Sequence, residues 1–234
     1  MRLLHLSDSH GSFIQLPSLR GVDAVVHSGD FLPNNTRGNL QIEPAYQLNW
    51  LHRYKDVLQA WMPSPMPFLF CRGNHDFMDP VPVLRSFGIN AIDITNKFVE
   101  VSGVGFYGFP YIPRIAGEWF GELEMRPMQK ELETLVRVLD SLLRPDVLVC
   151  HGPMYNVLDL AGGERCGSKD LAHAVFSVAK HFPKHFLCGH IHESHGQSFM
   201  ERESGERMHV SNAATTFHVF EVLDSVGVKE RALE

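Results

Sequence analysis

The sequence predicts an α/β protein on three observations. Short apolar runs rich in valine, leucine and phenylalanine alternate with longer stretches of helical periodicity. Each apolar run stops at a polar or glycine-containing turn, as strands do. No linker, internal repeat or low-complexity segment divides the 234 residues, a length that suits one domain, 1–234.

The elements follow in order. Strands are expected over 2–6 and 23–27, and then a helix over 44–61 that opens on Pro44, since proline suits the first helical position. Strands follow over 67–71 and 98–108. The helix over 127–143 opens on Pro127 and repeats Met128, Leu132, Leu135, Val136, Leu139, Leu142 and Leu143 at helical spacing. A strand over 146–150, a shorter helix over 169–181, a strand over 185–188 and closing strands within 206–223 complete the reading. The opening Met1-Arg2-Leu3-Leu4-His5-Leu6 is too short for a secretory signal, and no run approaches the ~18–20 apolar residues of a membrane span.

Composition narrows the function. The formal net charge is −6 and no run of basic residues occurs, which argues against a surface made to grip a long nucleic acid. Of the cysteines Cys71, Cys150, Cys166 and Cys188, none forms a CxxC pair, and three end apolar runs as small buried thiols do. A reducing, cytoplasmic location is expected from that usage.

Chemistry-bearing residues concentrate at strand ends. Asp8 and His10 follow the first strand and Asp30 the second. Asn74, His75 and Asp76 follow the strand ending near Cys71, His151 follows 146–150, and His190 and His192 follow 185–188. In α/β folds, ligands gather at the carboxyl ends of strands, where loops converge above a rigid sheet. The donors are carboxylate, amide and imidazole without thiolate, a set that suits Mn, Fe, Zn or Mg better than a structural zinc site. In Asp8-x-His10 and His190-x-His192 an extended backbone turns both side chains to one side. A carboxylate such as Asp30 can offer its two oxygens to two cations, which together activate a water and clamp a phosphoryl group. His5, His52, His173, His181, His185 and His218 carry no such pattern, and His27 and His195 stay undecided.

With these residues in view, the sequence resembles the calcineurin-like metallophosphoesterase superfamily. The resemblance rests on Asp8-Ser9-His10-Gly11, Gly29-Asp30, Gly73-Asn74-His75-Asp76, His151-Gly152 and Gly189-His190-Ile191-His192, in that order. It implies a four-layer α/β/β/α sandwich, two mixed sheets flanked by helices. It also implies two divalent ions, manganese favoured. Asp8, His10 and His192 would hold one, Asn74, His151 and His190 the other, and Asp30 would bridge them. His75 would protonate the leaving oxygen, with Asp76 orienting and charging its ring; the plain alternative for Asp76 is a helix cap near Pro80.

A looser likeness links Gly108-Phe109-Pro110-Tyr111, Trp119-Phe120, His151-Gly152-Pro153, Leu158-Asp159, Gly163, Arg165-Cys166-Gly167-Ser168 and Leu171 to the metallophosphoesterase-domain branch. That branch implies hydrolysis of phosphodiesters, cyclic nucleotides included, by a hydroxide held between the metals. The loop 31–43 and the segment 196–207 depart from it. Arg37, Arg114, Arg165 and Lys169 are candidate phosphate contacts, and Tyr111 and Trp119 candidate stacking surfaces; each also reads as an ordinary surface charge or core aromatic. The expected partner is a small phosphoester or nucleotide. A phosphomonoesterase or nucleoside-polyphosphate hydrolase would use the same residues, and a non-catalytic interaction module is the reading of another class.

Overall fold

Runs of three to six apolar residues are too short to bury themselves, so they stack as two sheets that share one apolar interlayer. The computed structural model describes residues 1–36, 39–115 and 119–222. The first half holds β1 (Arg2–Leu6), β2 (Ala24–His27), α1 (Glu43–Arg53), α2 (Lys55–Trp61), β3 (Phe68–Phe70), α3 (Val81–Ser86) and β4 (Ala91–Asp93). Next come β5 (Phe98–Val101), β6 (Val104–Phe109), β7 (Ile112–Pro113), β8 (Glu122–Leu123), α4 (Met125–Leu139) and β9 (Val147–Cys150). The chain closes with β10 (Leu160–Ala161), β11 (Glu164–Arg165), α5 (Lys169–His173), β12 (His185–Cys188), β13 (Gly196–Glu201), β14 (Arg207–Asn212) and β15 (Phe217–Glu221).

One sheet has the order β15-β1-β2-β3-β4 and the other β13-β14-β12-β9-β6-β5. Within them β1, β2, β3 and β4 run parallel, as do β6, β9, β12 and β14, while β15, β13 and β5 pair antiparallel at the edges. Every residue of β2, β3, β9 and β12 is buried, because both faces of these central strands are covered. Leu3, Val26 and Leu69 meet Phe106, Val149 and Leu187 between the sheets. Trp50, Leu51, Leu58 and Leu84 cover the outer face of the first sheet, and Met128, Leu132, Leu135 and Val175 that of the second. The result is the expected α/β/β/α sandwich of two mixed sheets.

Several elements differ from their sequence reading. The helix expected over 44–61 breaks at Tyr54 (φ −104°, ψ 20°), whose ring packs against Phe13 and Trp50. The strand expected over 98–108 is a hairpin, folded at Ser102-Gly103 with positive φ at both turn residues, the geometry that suits a two-residue hairpin loop. The helix α4 stops at Leu139, and Leu142 is 99% exposed, so neither it nor Leu143 belongs to the buried stripe. The helix expected over 169–181 gives way after His173 to a π-helical turn, Ala174–Val178. Residue 223 of the closing strands lies outside the described residues. Cys71, Cys150 and Cys188 are buried and unpaired, and Cys166 is exposed. No described helix is long and apolar enough to cross a membrane.

Candidate metal centre

Because β1, β2 and β3 are parallel, their following loops rise at one end of the first sheet, carrying Asp8 and His10, Asp30, and Asn74 with His75. Parallel β9 and β12 bring His151, His190 and His192 to the same place from the second sheet. Asp8, His10, Asp30 and His190 all sit at positive φ (52°, 44°, 56° and 67°). Such backbone costs a non-glycine residue about 1–3 kcal/mol and persists only where surrounding structure enforces it.

The glycines of the motifs do that enforcing. A Cβ on Gly73 would fall on the Asp30 carboxylate and backbone, and one on Gly189 on the Ser7 and Asp8 side chains. These loops pack backbone directly against ligand carboxylates, leaving no room for any side chain.

Each carboxylate is pinned through one oxygen and aims the other. The His190 backbone N–H donates to Asp8 Oδ2 at 2.9 Å, which leaves Oδ1 facing His192 Nε2 at 3.2 Å. The His75 backbone N–H donates to Asp30 Oδ1 at 2.7 Å. Its Oδ2 then lies 3.2 Å from His151 Nε2 and 3.7 Å from His10 Nε2. One Asp30 oxygen thus accepts a backbone N–H, while the other faces His151 and His10.

Three sets of donor atoms lie within 4.8 Å of one another: Asp8 with His10 and His192, Asp30 with His151 and His190, and His10 with Asp30 and His75. Among these residues buried Asn74 Oδ1 has no hydrogen-bond partner, and buried His151 Nε2 has only the Asp30 carboxylate 3.2 Å away, outside good hydrogen-bond geometry. An unpaired buried oxygen or nitrogen normally costs about 1–3 kcal/mol, so such atoms call for an explanation. A cation supplies it, taking the Asn74 oxygen directly and the His151 nitrogen in place of its proton. The His151 Nδ1–H donates to the Ser28 carbonyl at 3.1 Å, which fixes the tautomer that leaves Nε2 available. The residues present fit a divalent metal.

The electrostatics agree. Burial opposes charge on Asp30, yet the His151 ring beside it more than offsets this and holds the carboxyl well below the usual range. Burial likewise opposes charge on His151, but Asp30 wins and pushes the ring up to about 9. The hydrogen bond that His192 donates to Asp8 raises its ring, whereas burial drags His190 down to about 4. Concentrated negative charge is balanced here by imidazoles, which a cation would replace.

His75 stands at the rim of this group, its ring centroid 5.1 Å from that of His10 and 4.2 Å from that of Trp119. Asp76 does not touch the His75 ring, nor does it cap α3, where the Val81 N–H instead meets Asp79. Its carboxylate accepts backbone N–H groups from Asp30 (2.8 Å), Phe31 (3.0 Å), Leu32 (2.9 Å) and Gly73 (2.8 Å). Asp76 thus ties the loop after β2 to the loop after β3, and burial, with Asp30 alongside, pushes its carboxyl up to about 7. The partner of the His75 ring is Asn34, whose Oδ1 lies 2.7 Å from Nδ1.

The expected substrate contacts scatter. Tyr111 and Arg114 line a cleft beside His190, together with Ile112, Cys166, Ser168 and Leu171. The Tyr111 hydroxyl accepts from Asn96 at 2.8 Å, and Arg114 pairs with Glu124. Arg165 is spent on the buried Asp159 at 2.5 Å, and Lys169 sits over the Tyr155 ring. Arg37 lies outside the described residues. Of the undecided histidines, buried His27 binds Ser9 and the Gly29 N–H as a packing element, and exposed His195 touches only the His192 carbonyl.

Sandwich, strand-end loops and donor set together define a metallophosphoesterase-type scaffold. The profile of the calcineurin-like phosphoesterases matches residues 1–194, and the chain belongs to that family. The chain is similar to UPF0046 protein K07C11.7 of Caenorhabditis elegans, 25% identical over 84% of this chain and 65% of that protein. It is also similar to UPF0046 protein T07D4.2 of the same organism, 29% identical over 46% of this chain and 25% of that protein. The chain therefore spans less than two thirds of the length of these relatives. A solved structure superposes with a TM-score of 0.58 at 15% identity, covering 91% of this chain and 90% of the other, a likeness of fold.

Proposed function

We propose that this phosphoester hydrolase is a phosphodiesterase acting on small or nucleotide substrates with two divalent ions. The observation that carries the reading is buried, unpartnered Asn74 Oδ1 beside an Asp30 oxygen that faces His151 and His10, members of two adjoining donor sets. Asp8, His10 and His192 would hold one ion and Asn74, His151 and His190 the other, with Asp30 between. Oxygen and imidazole donors without thiolate suit Mn, Fe, Zn or Mg, and manganese is the favoured choice. Ions so held supply Lewis acidity and positive charge for the phosphoryl oxygens.

The protein's own groups do the rest. With Nδ1 engaged by Asn34, His75 keeps Nε2 for the leaving oxygen, where a proton must be delivered. Burial lowers its pKa, which makes the protonated ring a stronger acid. Asp76 holds the two loops that carry Asp30 and His75. The cleft by His190, walled by Tyr111, Ile112 and Leu171, suits the organic substituent of a diester. Buried unpaired thiols support a reducing, cytoplasmic setting.

The test compares bis-p-nitrophenyl phosphate with p-nitrophenyl phosphate after loading with Mn²⁺. Faster diester turnover is expected. A monoester preference would overturn the substrate class and leave the donor set intact.

A further inference from the structure

We infer that Asn34 is the positioning residue of His75, a neutral amide that fixes the ring's tautomer and aim. The inference rests on the phosphoesterase reading for its kinetic consequence, and on geometry alone for its structural one. Asn34 Oδ1 meets His75 Nδ1 at 2.7 Å, and Asn34 Nδ2 donates to the His75 carbonyl at 3.3 Å, so one amide grips both ring and backbone. An amide oxygen can only accept, so Nδ1 carries the proton and Nε2 is the free nitrogen. A His75 ring nitrogen lies within 4.8 Å of donor atoms of His10 and Asp30, so the ring borders the centre.

The surroundings hold Asn34 as firmly as it holds His75. Glu43 accepts the backbone N–H groups of Asn35 at 3.0 Å and Thr36 at 2.6 Å, fixing the loop just beyond it. Gln47, fully buried on α1, donates to the carbonyls of Pro33 at 3.2 Å and His75 at 2.7 Å, and accepts the Phe77 N–H at 2.9 Å. One side chain thereby clamps the segment before Asn34 to the segment around His75. The Trp119 ring also packs against His75. Among the described residues no carboxylate hydrogen-bonds the ring, and that of Asp76 is fully used by backbone N–H groups. A neutral acceptor orients the imidazole without stabilising its charged form, which suits a group that must give its proton away.

Two measurements test this. In Zn²⁺-loaded protein, long-range ¹H–¹⁵N spectra of the imidazoles should show His75 protonated on Nδ1. Asn34→Ala should shift it towards the Nε2–H form, and Asn34→Asp, which keeps the acceptor, should restore it; an unchanged tautomer in Asn34→Ala would overturn the inference. In kinetics, Asn34→Ala should keep full metal content and KM while losing about 10–100-fold in kcat, the usual cost of removing a partner that orients a functional histidine. That loss should be larger on diphenyl phosphate than on bis-p-nitrophenyl phosphate, and should vanish in a His75→Ala background. Equal losses on both esters, or a further loss without His75, would contradict it. Failure of the parent protein to cleave either ester would count against the phosphodiesterase reading, while the spectra still decide the role of Asn34.

Discussion

The strand-end loops and the rim of the cleft lie side by side, yet different physics fixes them. In the loops, Asp8, Asp30, Asn74 and His151 are at most 3% exposed, and backbone N–H groups or carbonyls hold Asp8, Asp30 and His151. Glycines without room for a Cβ separate them. At the rim, Arg114 and Ile115 are exposed, and Arg114 meets an exposed glutamate. Where backbone makes the site, residue identity is forced; where long side chains make it, many sequences serve.

The largest expected effects therefore come from the loops. Asp30→Asn should strip most of the bound metal, and Gly189→Ala should do nearly the same by driving a methyl group into Ser7 and Asp8. Elemental analysis of both variants checks this, and full metal content in Gly189→Ala would break the claim that close packing aims Asp8. His75→Ala should keep the metal and lose roughly 10²–10⁴-fold in rate, less with a p-nitrophenolate leaving group.

The rim should respond in stability more than in chemistry. Arg165→Ala leaves Asp159 buried with only the Asn156 and Gly167 N–H groups, and should cost roughly 1–3 kcal/mol with kcat little changed. Urea unfolding and steady-state kinetics separate the two; a large kcat loss at unchanged stability would return Arg165 to the substrate. Arg114→Ala, at an exposed pair, should change stability by less than about 0.5 kcal/mol.

A smaller effect belongs to the far end of the second sheet. His185 and His209 lie 3.2 Å apart through Nδ1 atoms, and burial holds His185 down to about 3 and His209 down to about 4. An unfolded histidine titrates near 6.5, so below that pH the unfolded chain takes up protons that the fold refuses. Their contribution is complete above about pH 6.5 and declines as pH falls from there towards 4. His185→Phe, which can keep the stacking on Phe220, should flatten that decline in urea midpoints; an unchanged slope would rule out this pair as its source.

What the sequence disclosed follows the same division. The central strands and the ordered Asp, Asn and His residues were legible because apolar runs and glycine-bounded motifs are local patterns. The three-residue β4 and the short ribbon β7–β8 were not, since two or three residues carry no periodicity. Asn34 and Gln47 escaped notice because their contacts span 41 and 28 residues of sequence and involve amides with no motif around them. Asp76 was noticed for the wrong reason: nothing local to it tells that four backbone N–H groups await its carboxylate.

The central claim is a centre that would hold two ions with Asp30 between them. Metal stoichiometry of the Mn²⁺-loaded protein beside Asp30→Asn tests it most directly. The account expects about two ions per chain, bound cooperatively, and loss of both on the single substitution. Two ions retained by Asp30→Asn, or one ion in the parent protein, would contradict it.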